Sequence, residues 1–187
     1  MILSSRNNLF TFSFPSKFVP DEINSKYNAY LNRMPGNLIH NPVDYINYSV
    51  QSFNVPGVAY DPVSQTGLYG RERKYRSSID AMEVFSKTFT ITFQMLDGFI
   101  NYWMMLDIFN YYYSFDNTDK YLPEPIMIKI LDAEGNVIVV MQLERVLFNG
   151  LSELNLSYSS NTVEFQTFDA DFTYNSFSLD IKIGGVN

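Results

Sequence analysis

Residues Lys87–Met95, KTFTITFQM, show the clearest alternation of apolar and polar side chains in the chain. Large apolar residues occupy every second position, and the positions between them are polar. The apolar set is Phe89, Ile91, Phe93 and Met95. The polar set is Thr88, Thr90, Thr92 and Gln94. Because successive side chains point to opposite faces of a strand, the pattern predicts a strand with one buried face and one polar face.

A second long strand, predicted over Val163–Tyr174, repeats this division with carboxylates. Phe168, Ala170 and Phe172 share one face. From Thr167 onward the opposite face is polar and acidic, and its members are Thr167, Asp169, Asp171 and Thr173. Before Thr167 the apolar residues lie on the other side, so a bulge near Gln166 would reconcile the two halves. Ionised carboxylates are costly to bury, so this face is expected to meet water or a wet channel.

Shorter patterns extend this into a mainly β chain with one long flanking helix. Further strands are predicted over Leu9–Phe14, Asp44–Val55, Ile126–Leu131, Val137–Leu143, Glu144–Phe148 and, as an edge, Phe177–Ile183. A short helix is predicted over Asp21–Arg33. The long helix runs from Asp97, its expected N-cap, to about Tyr113, with an apolar stripe that includes Trp103. Val58–Arg76 is read as a long hairpin loop with four cations, Arg71, Arg73, Lys74 and Arg76.

Composition favours one domain with a substantial core. The chain has 187 residues, of which 46% are hydrophobic and 17% aromatic, and aromatic residues favour strands. The net charge of −7 argues against nonspecific binding to a nucleic-acid backbone, which requires clustered cations. No apolar run is long enough to span a membrane, and the first residues do not resemble a signal peptide. The chain is therefore expected to stay soluble where it is made.

The sequence shows no arrangement of residue types that would support catalysis or metal binding. The chain has no cysteine and one histidine, His40, which lies in a loop without clustered carboxylates. Asp169 and Asp171 have the spacing of a possible acid pair, but catalysis there would also require a cleft and a sugar platform. We therefore predict a protein that is not an enzyme and has no catalytic residue, metal or cofactor.

Residues Phe148–Phe177, FNGLSELNLSYSSNTVEFQTFDADFTYNSF, resemble the end of the tail tube proteins of contractile-tailed bacteriophages. The most specific part is the Glu-x-Gln-Thr-Phe strand, formed here by Glu164, Gln166, Thr167 and Phe168. Weaker pieces precede it in the family's order: FNVPG, GRERKYRSS and FTITFQMLDG with the tryptophan helix. The resemblance covers about Tyr45–Tyr174, and residues 16–41 look like an insertion in an otherwise single domain of residues 1–187.

This resemblance implies two packed antiparallel sheets, partly a barrel, in a subunit that assembles into six-fold rings. Stacked rings would form a tail tube that associates with sheath and baseplate proteins and lets phage DNA pass during ejection without binding it specifically. The virion tail, assembled in the host cytoplasm, would be its location. The polar residues at 88, 90, 92 and 94 and at 167, 169, 171 and 173 would line the channel, and Arg71, Arg73, Lys74 and Arg76 would contact the next ring.

Other functions remain open at this stage. The chain could be the inner tube of a bacterial contractile injection system, or a relative that caps or initiates the tube. A carbohydrate-binding β-sandwich is a third possibility, because 14 Tyr and one Trp provide rings that stack on sugars. A sugar-binding module would stay monomeric, whereas a tube subunit would self-associate.

Overall fold

The computed structural model describes residues 9–34, 39–57, 62–75, 87–114, 121–154, 156 and 166–182. These residues form three α-helices, α1 (Asp21–Leu31), α2 (Pro42–Ser49) and α3 (Ile100–Tyr112). The strands are β1 (Phe10–Ser13), β2 (Val50–Phe53), β3 (Val63–Thr66), β4 (Glu72–Tyr75), β5 (Thr88–Gln94), β6 (Ile126–Leu131), β7 (Val137–Glu144), β8 (Leu147–Leu151), β9 (Thr167–Thr173) and β10 (Ser176–Ile181).

Two four-stranded antiparallel sheets make the body of the protein. The first has the strand order β1-β6-β7-β10, and the second has the order β2-β5-β9-β8. The strands β3 and β4 form a separate two-stranded hairpin. The predicted strands Ile126–Leu131 and Val137–Leu143 pair with each other as the hairpin β6–β7, and the predicted edge strand, β10, is confirmed.

Aromatic rings fill the space between the two sheets. Phe14, directly after β1, lies 6.0 Å from the ring of Phe172 on β9. Phe172 in turn stacks on Phe89 at 5.3 Å and on Phe148 at 4.7 Å, so one ring joins three strands of the second sheet. Phe12 of β1 contacts Phe53 of β2 at 5.7 Å. These contacts hold the sheets face to face and bury the apolar face that the alternation in β5 and β9 predicts.

The three helices lie together against the second sheet. The ring of Tyr102 on α3 meets Phe168 edge-on at 5.3 Å, and Phe109 meets Phe148 at 5.3 Å. On α1, Ile23, Tyr27 and Leu31 are buried. The insertion predicted over residues 16–41 stays a prediction, but its described part belongs to the core rather than to an appendage.

The sequence prediction was wrong about the start of the strand at Asp44. Residues 42–49 form helix α2, and only Val50–Phe53 are a strand. Asn41 caps this helix, since its side chain accepts a hydrogen bond from the Val43 N–H at 3.2 Å, and Pro42 occupies the first turn. An Asn-Pro pair of this kind is a helix-start signal. The spacing of Ile46, Tyr48 and Val50 by two residues also fits a strand, and for this reason the segment was predicted as a strand.

The long helix begins later than predicted, and one residue of its predicted apolar stripe is exposed. Asp97 belongs to a 3₁₀ turn over Asp97–Phe99, so it does not cap α3. Trp103 is 43% exposed, whereas its neighbours Tyr102 and Met104 are buried. The hydroxyl of Tyr112 donates to the Phe18 carbonyl at 3.3 Å, and burial, followed by the effect of Tyr111, raises the pKa of Tyr112 to about 12. Of the predicted stripe, Met104 is buried and Phe99 and Ile100 pack against the core, so the prediction was wrong mainly at Trp103.

Candidate assembly surfaces

The two strands with predicted polar faces, β5 and β9, are paired neighbours in the second sheet. Their register brings the eight predicted channel residues together as four cross-strand pairs. These pairs are Thr88–Thr173, Thr90–Asp171, Thr92–Asp169 and Gln94–Thr167. The alternating apolar residues of both strands are buried on the other face. The sequence thus identified one continuous surface, which we call the polar face.

Hydrogen bonds across the polar face fix its carboxylates. Thr90 Oγ1 donates to Asp171 Oδ1 at 2.6 Å, and Thr92 Oγ1 donates to Asp169 Oδ1 at 2.7 Å. At the end of the face, the side-chain amide of Asn149 donates to the hydroxyl of Thr173. Hydrogen bonds to a carboxylate are stronger than those between neutral groups, so these threonines hold the acidic oxygens in place.

The strands at the two sides of the second sheet are edges within the part of the chain that the structure describes. One edge is β2 and the other is β8. Both carry irregularities: the register shifts between Val50 and Ser52 on β2, and between Phe148 and Gly150 on β8. Edge strands expose backbone N–H and C=O groups that can pair with a strand of another chain. The polar face is therefore flanked on both sides by strands that can extend it.

The predicted hairpin loop contains the β3–β4 hairpin, in which every residue from 62 to 75 is exposed. At its tip Leu68 is 89% exposed and Tyr69 is 98% exposed. Tyr69 has a positive φ of 69°, which is uncommon for a bulky residue, and Gly70 follows with φ 71°. Two apolar side chains are thus presented to solvent at the end of an exposed hairpin.

The described cations of the hairpin lie on both of its faces. Arg73 lies opposite Gln65, whereas Lys74 lies opposite Ser64. Arg71 and Arg73 line one side of the hairpin together with Tyr69. Arg76, the fourth predicted cation, lies outside the described residues. Only three of the four predicted contact residues can therefore be positioned, and two of these share a face.

The sequence did not predict a polar contact that joins α1 and α3. Asp107 accepts hydrogen bonds from Lys26 Nζ at 2.6 Å and from the Tyr27 hydroxyl at 2.8 Å. Burial alone would raise the pKa of Asp107, but hydrogen bonds from Lys26 and Tyr27 lower it below its ordinary value. Burial and the bond to Asp107 raise the pKa of Tyr27. No local pattern reveals this contact, because its partners are 80 and 81 residues apart in sequence.

Within the described ranges, no group of three or more His, Cys, Asp and Glu side chains is arranged to hold a metal ion. His40 is exposed. Among the described residues no helix has the length and apolarity required to cross a membrane. The surfaces that remain to be explained are the polar face, the sheet edges and the hairpin.

Comparison with known proteins identifies the fold. No family model and no curated protein matches the chain. Among solved structures, the tube terminating cap of the anti-feeding prophage is 11% identical, with a TM-score of 0.55 over 97% of this chain and 93% of that chain. A chain of the anti-feeding prophage baseplate is 10% identical, with a TM-score of 0.50 over 70% of this chain and 79% of that chain.

A third match is the sheath/tube terminator of an extracellular contractile injection system. It is 10% identical, with a TM-score of 0.49 over 70% of this chain and 84% of that chain. The predicted fold class, mainly β with packed antiparallel sheets, is confirmed by the architecture and by its likeness to the cap. The structure differs from the prediction in having three helices, and its described strands form open sheets.

Proposed function

We propose that the chain is a structural subunit of the tube of a contractile injection assembly, and that its polar face lines the channel. The observation that carries this proposal is the division of the second sheet. One face consists of hydroxyl, amide and carboxylate groups over two adjacent strands, while the other face is packed with aromatic rings. A sheet of this kind suits a wall between a wet channel and a core.

Closure of the wall follows from the edges of the same sheet. Pairing of β2 in one copy with β8 in the next would extend the sheet around a ring. A closed ring leaves no unpaired edge in the second sheet, which removes there the hazard that exposed edge strands present. Repeated head-to-tail contacts of this kind close into rings when the rotation per subunit divides a full turn. A six-fold ring is the closure implied by the sequence resemblance.

A position at the end of the tube is favoured over the main shaft. The likeness to the tube terminating cap extends over almost the whole of both chains. The likeness to the baseplate chain covers a smaller share of this chain. A subunit at a tube end would contact tube, sheath or baseplate proteins on one side only. It would belong to a particle, either a phage tail or an injection device without a capsid.

The acidic channel suits passage of a polyanion without retention. Asp169 and Asp171 recur in every copy of a ring, and the eight channel positions include no cation. Phosphates of a passing nucleic acid would be repelled rather than held. In a phage tail the passing molecule would be DNA; in an injection device it would be another cargo. The repulsion of phosphates bears on the first case only.

Assembly is tested first by negative-stain electron microscopy and light scattering of the purified chain over a wide concentration range. Rings, or discs that stack, are the expected particles. A tube-end subunit can require a partner to stack, so rings without tubes agree with the proposal. A monomer at every concentration would contradict it and would direct attention to glycan binding.

Single cysteines then test which face lines the channel, because the native chain has none. Thr167→Cys places a thiol on the polar face, and Ser178→Cys, the control, places one on an exposed position of β10. In rings, a maleimide on a large polyethylene glycol should label Ser178→Cys readily and Thr167→Cys slowly. In separated subunits both should react. Equal reaction in rings would exclude the polar face from the channel.

A further inference from the structure

A long groove separates the edge strands β1 and β2, which lie side by side at one end of the two sheets. It has a volume of about 990 Å³ and is open along its length. Apolar side chains from both sheets line it, among them Phe10, Phe12, Ile128, Ile130 and Phe53. Phe10 and Ile130 are cross-strand partners and are only half-buried, although the next pair inward, Phe12 and Ile128, is buried.

The groove exists because the first sheet extends further than the second sheet covers. The row of cross-strand partners that contains Phe12 and Ile128 continues into Met141, which is buried. In the next row toward the end of the sheet, Phe10 lies opposite Ile130, Ile130 lies opposite Val139, and Val139 lies opposite Ile181. Ile181 is 57% exposed. The row of Phe12 likewise ends on the edge strand β10 in an exposed residue, Leu179, so the groove is marked by Phe10 and Ile130, which lack a complete cover in the isolated subunit. Such a surface commonly marks a protein contact.

We propose that this groove receives the tip of the β3–β4 hairpin from a second copy of the chain. This inference rests on the proposed function and identifies the partner surface for the hairpin. The tip carries Leu68 and Tyr69, the two most exposed large apolar side chains among the described residues. Both would be removed from water against the apolar part of the groove, which phenylalanine and isoleucine side chains form beside polar residues of β2.

Charge supports the choice of a second copy as the occupant. The hairpin residues 62–75 contain three cations and one carboxylate, in a chain whose net charge is −7. Three carboxylates are close in sequence to the groove wall: Asp44 lies one helical turn before Tyr48, and Asp132 and Glu134 follow Ile130 in the β6–β7 turn. One cation, Lys129, pairs with Thr11 of the same wall, so acidic residues outnumber basic ones there. Arg71 and Arg73, which flank Tyr69, would approach these acids. Opposite charges at the rim guide association and select the orientation.

The conformation of the tip fits a contact surface rather than a simple turn. Tyr69 adopts a left-handed conformation inside the short 3₁₀ turn Leu68–Gly70, where glycine would be favoured. The hairpin's own hydrogen bonds hold it there, since the Gly67 N–H donates to the Arg71 carbonyl at 2.8 Å. Strained residues of this kind concentrate at binding sites. The groove and the tip are different surfaces, so the contact is head-to-tail and can propagate from copy to copy.

Mixed single-cysteine variants test the contact. One protein carries Tyr69→Cys and a fusion tag that increases its mass. The other carries Val55→Cys, at the groove, and has no tag. The two are mixed and oxidised. Val55 lines the groove and is 54% exposed. Tyr113→Cys, on α3, is the matched control because Tyr113 is also 54% exposed. We expect a disulfide-linked tagged–untagged dimer with Val55→Cys at several times the yield with Tyr113→Cys.

Equal yields with Val55→Cys and Tyr113→Cys would overturn the inference. A cross-link that forms only when both cysteines are in one chain would also overturn it, because the hairpin would then occupy its own groove. Leu68→Ser/Tyr69→Ser provides a second test without cross-linking. Its changes lie on exposed residues, so the variant should fold with an unchanged thermal midpoint and lose the concentration-dependent association of the native chain. Rings that form normally in this variant would refute the hairpin contact while leaving the proposed tube function intact.

Discussion

The hydrogen bond between Thr92 and Asp169 gives the sharpest test of the register on which the polar face depends. Both residues are half-buried, and the Thr92 hydroxyl donates to the carboxylate at 2.7 Å. A hydrogen bond to a charged group contributes about 1.5–3 kcal/mol net when it is well protected. Partial exposure reduces this, so we expect a coupling free energy of about 1 kcal/mol between the two side chains.

The coupling is measured by a double-mutant cycle with Thr92→Val, Asp169→Ala and the combined variant. Valine removes the hydroxyl with little change of shape, and alanine removes the carboxylate that accepts its hydrogen bond. Urea denaturation, followed by the fluorescence of the single tryptophan, gives the free energy of unfolding of each protein. The pair Thr90–Asp171 is a second cycle, with about 0.5 kcal/mol expected because Asp171 is exposed.

A diagonal cycle between Thr90 and Asp169 is the control. These residues are not cross-strand partners in the observed register, so their coupling should be close to zero. A strand slip by two residues would bring them opposite each other and would reverse the result. Strong coupling on the diagonal, with none between Thr92 and Asp169, would refute the register and with it the channel assignment.

Three further outcomes follow from the packing, the titration and the edges. Phe172→Ala should lower the free energy of unfolding by about 3–5 kcal/mol, because its ring contacts Phe89 and Phe148 on the two neighbouring strands and Phe14 beside the other sheet. Asp171→Ala on the opposite face should cost less than about 1 kcal/mol, and equal losses in urea denaturation would contradict the face assignment. The pKa of Asp107 is lowered in the folded protein, so the contribution of the ionised carboxylate to stability is complete above the ordinary pKa and is lost as the pH falls through the lowered pKa. Asp107→Asn should therefore lose less stability than the native chain between pH 7 and strongly acidic pH. Parallel losses in both proteins would show that the contact does not titrate. Gln51→Pro alters edge strand β2 at a position without a partner on β5, so the subunit should fold but form fewer rings than Gln51→Ala, as seen by electron microscopy.

The sequence predicted the two central strands of the second sheet, β5 and β9, well because their periodicity and their burial agree. In β5 and β9 each apolar residue is buried and each polar residue lies on the other face. A strand buried on one side must alternate, and a shift by one residue would expose Phe89 and bury Thr90. The pairing of these two strands could not be derived from alternation alone, since residues 88 and 173 are distant in the chain.

The errors occurred where a local signal competed with the alternation or where burial depends on distant elements. Asn41 and Pro42 start a helix, but the following residues include Ile46, Tyr48 and Val50, whose spacing of two also fits a strand. In α3 almost every position is apolar, so the sequence does not indicate which side faces the sheet. The contacts of Tyr102 with Phe168 and of Phe109 with Phe148 select the buried side, and they become visible only in the tertiary structure.

The polar face and the apolar groove also differ in how much a sequence can reveal of them. The polar face is a property of two strands and could be read from their alternation, because the same register that buries the phenylalanines exposes the threonines and aspartates. The groove is a property of two sheets of unequal extent: Phe10 and Ile130 have the pattern of core residues, and only the position of the second sheet leaves them half-exposed. A sequence that places core residues beyond the reach of its own second layer requires another surface to cover them. In a chain whose sheet edges are also open, a further copy of the same chain satisfies both requirements.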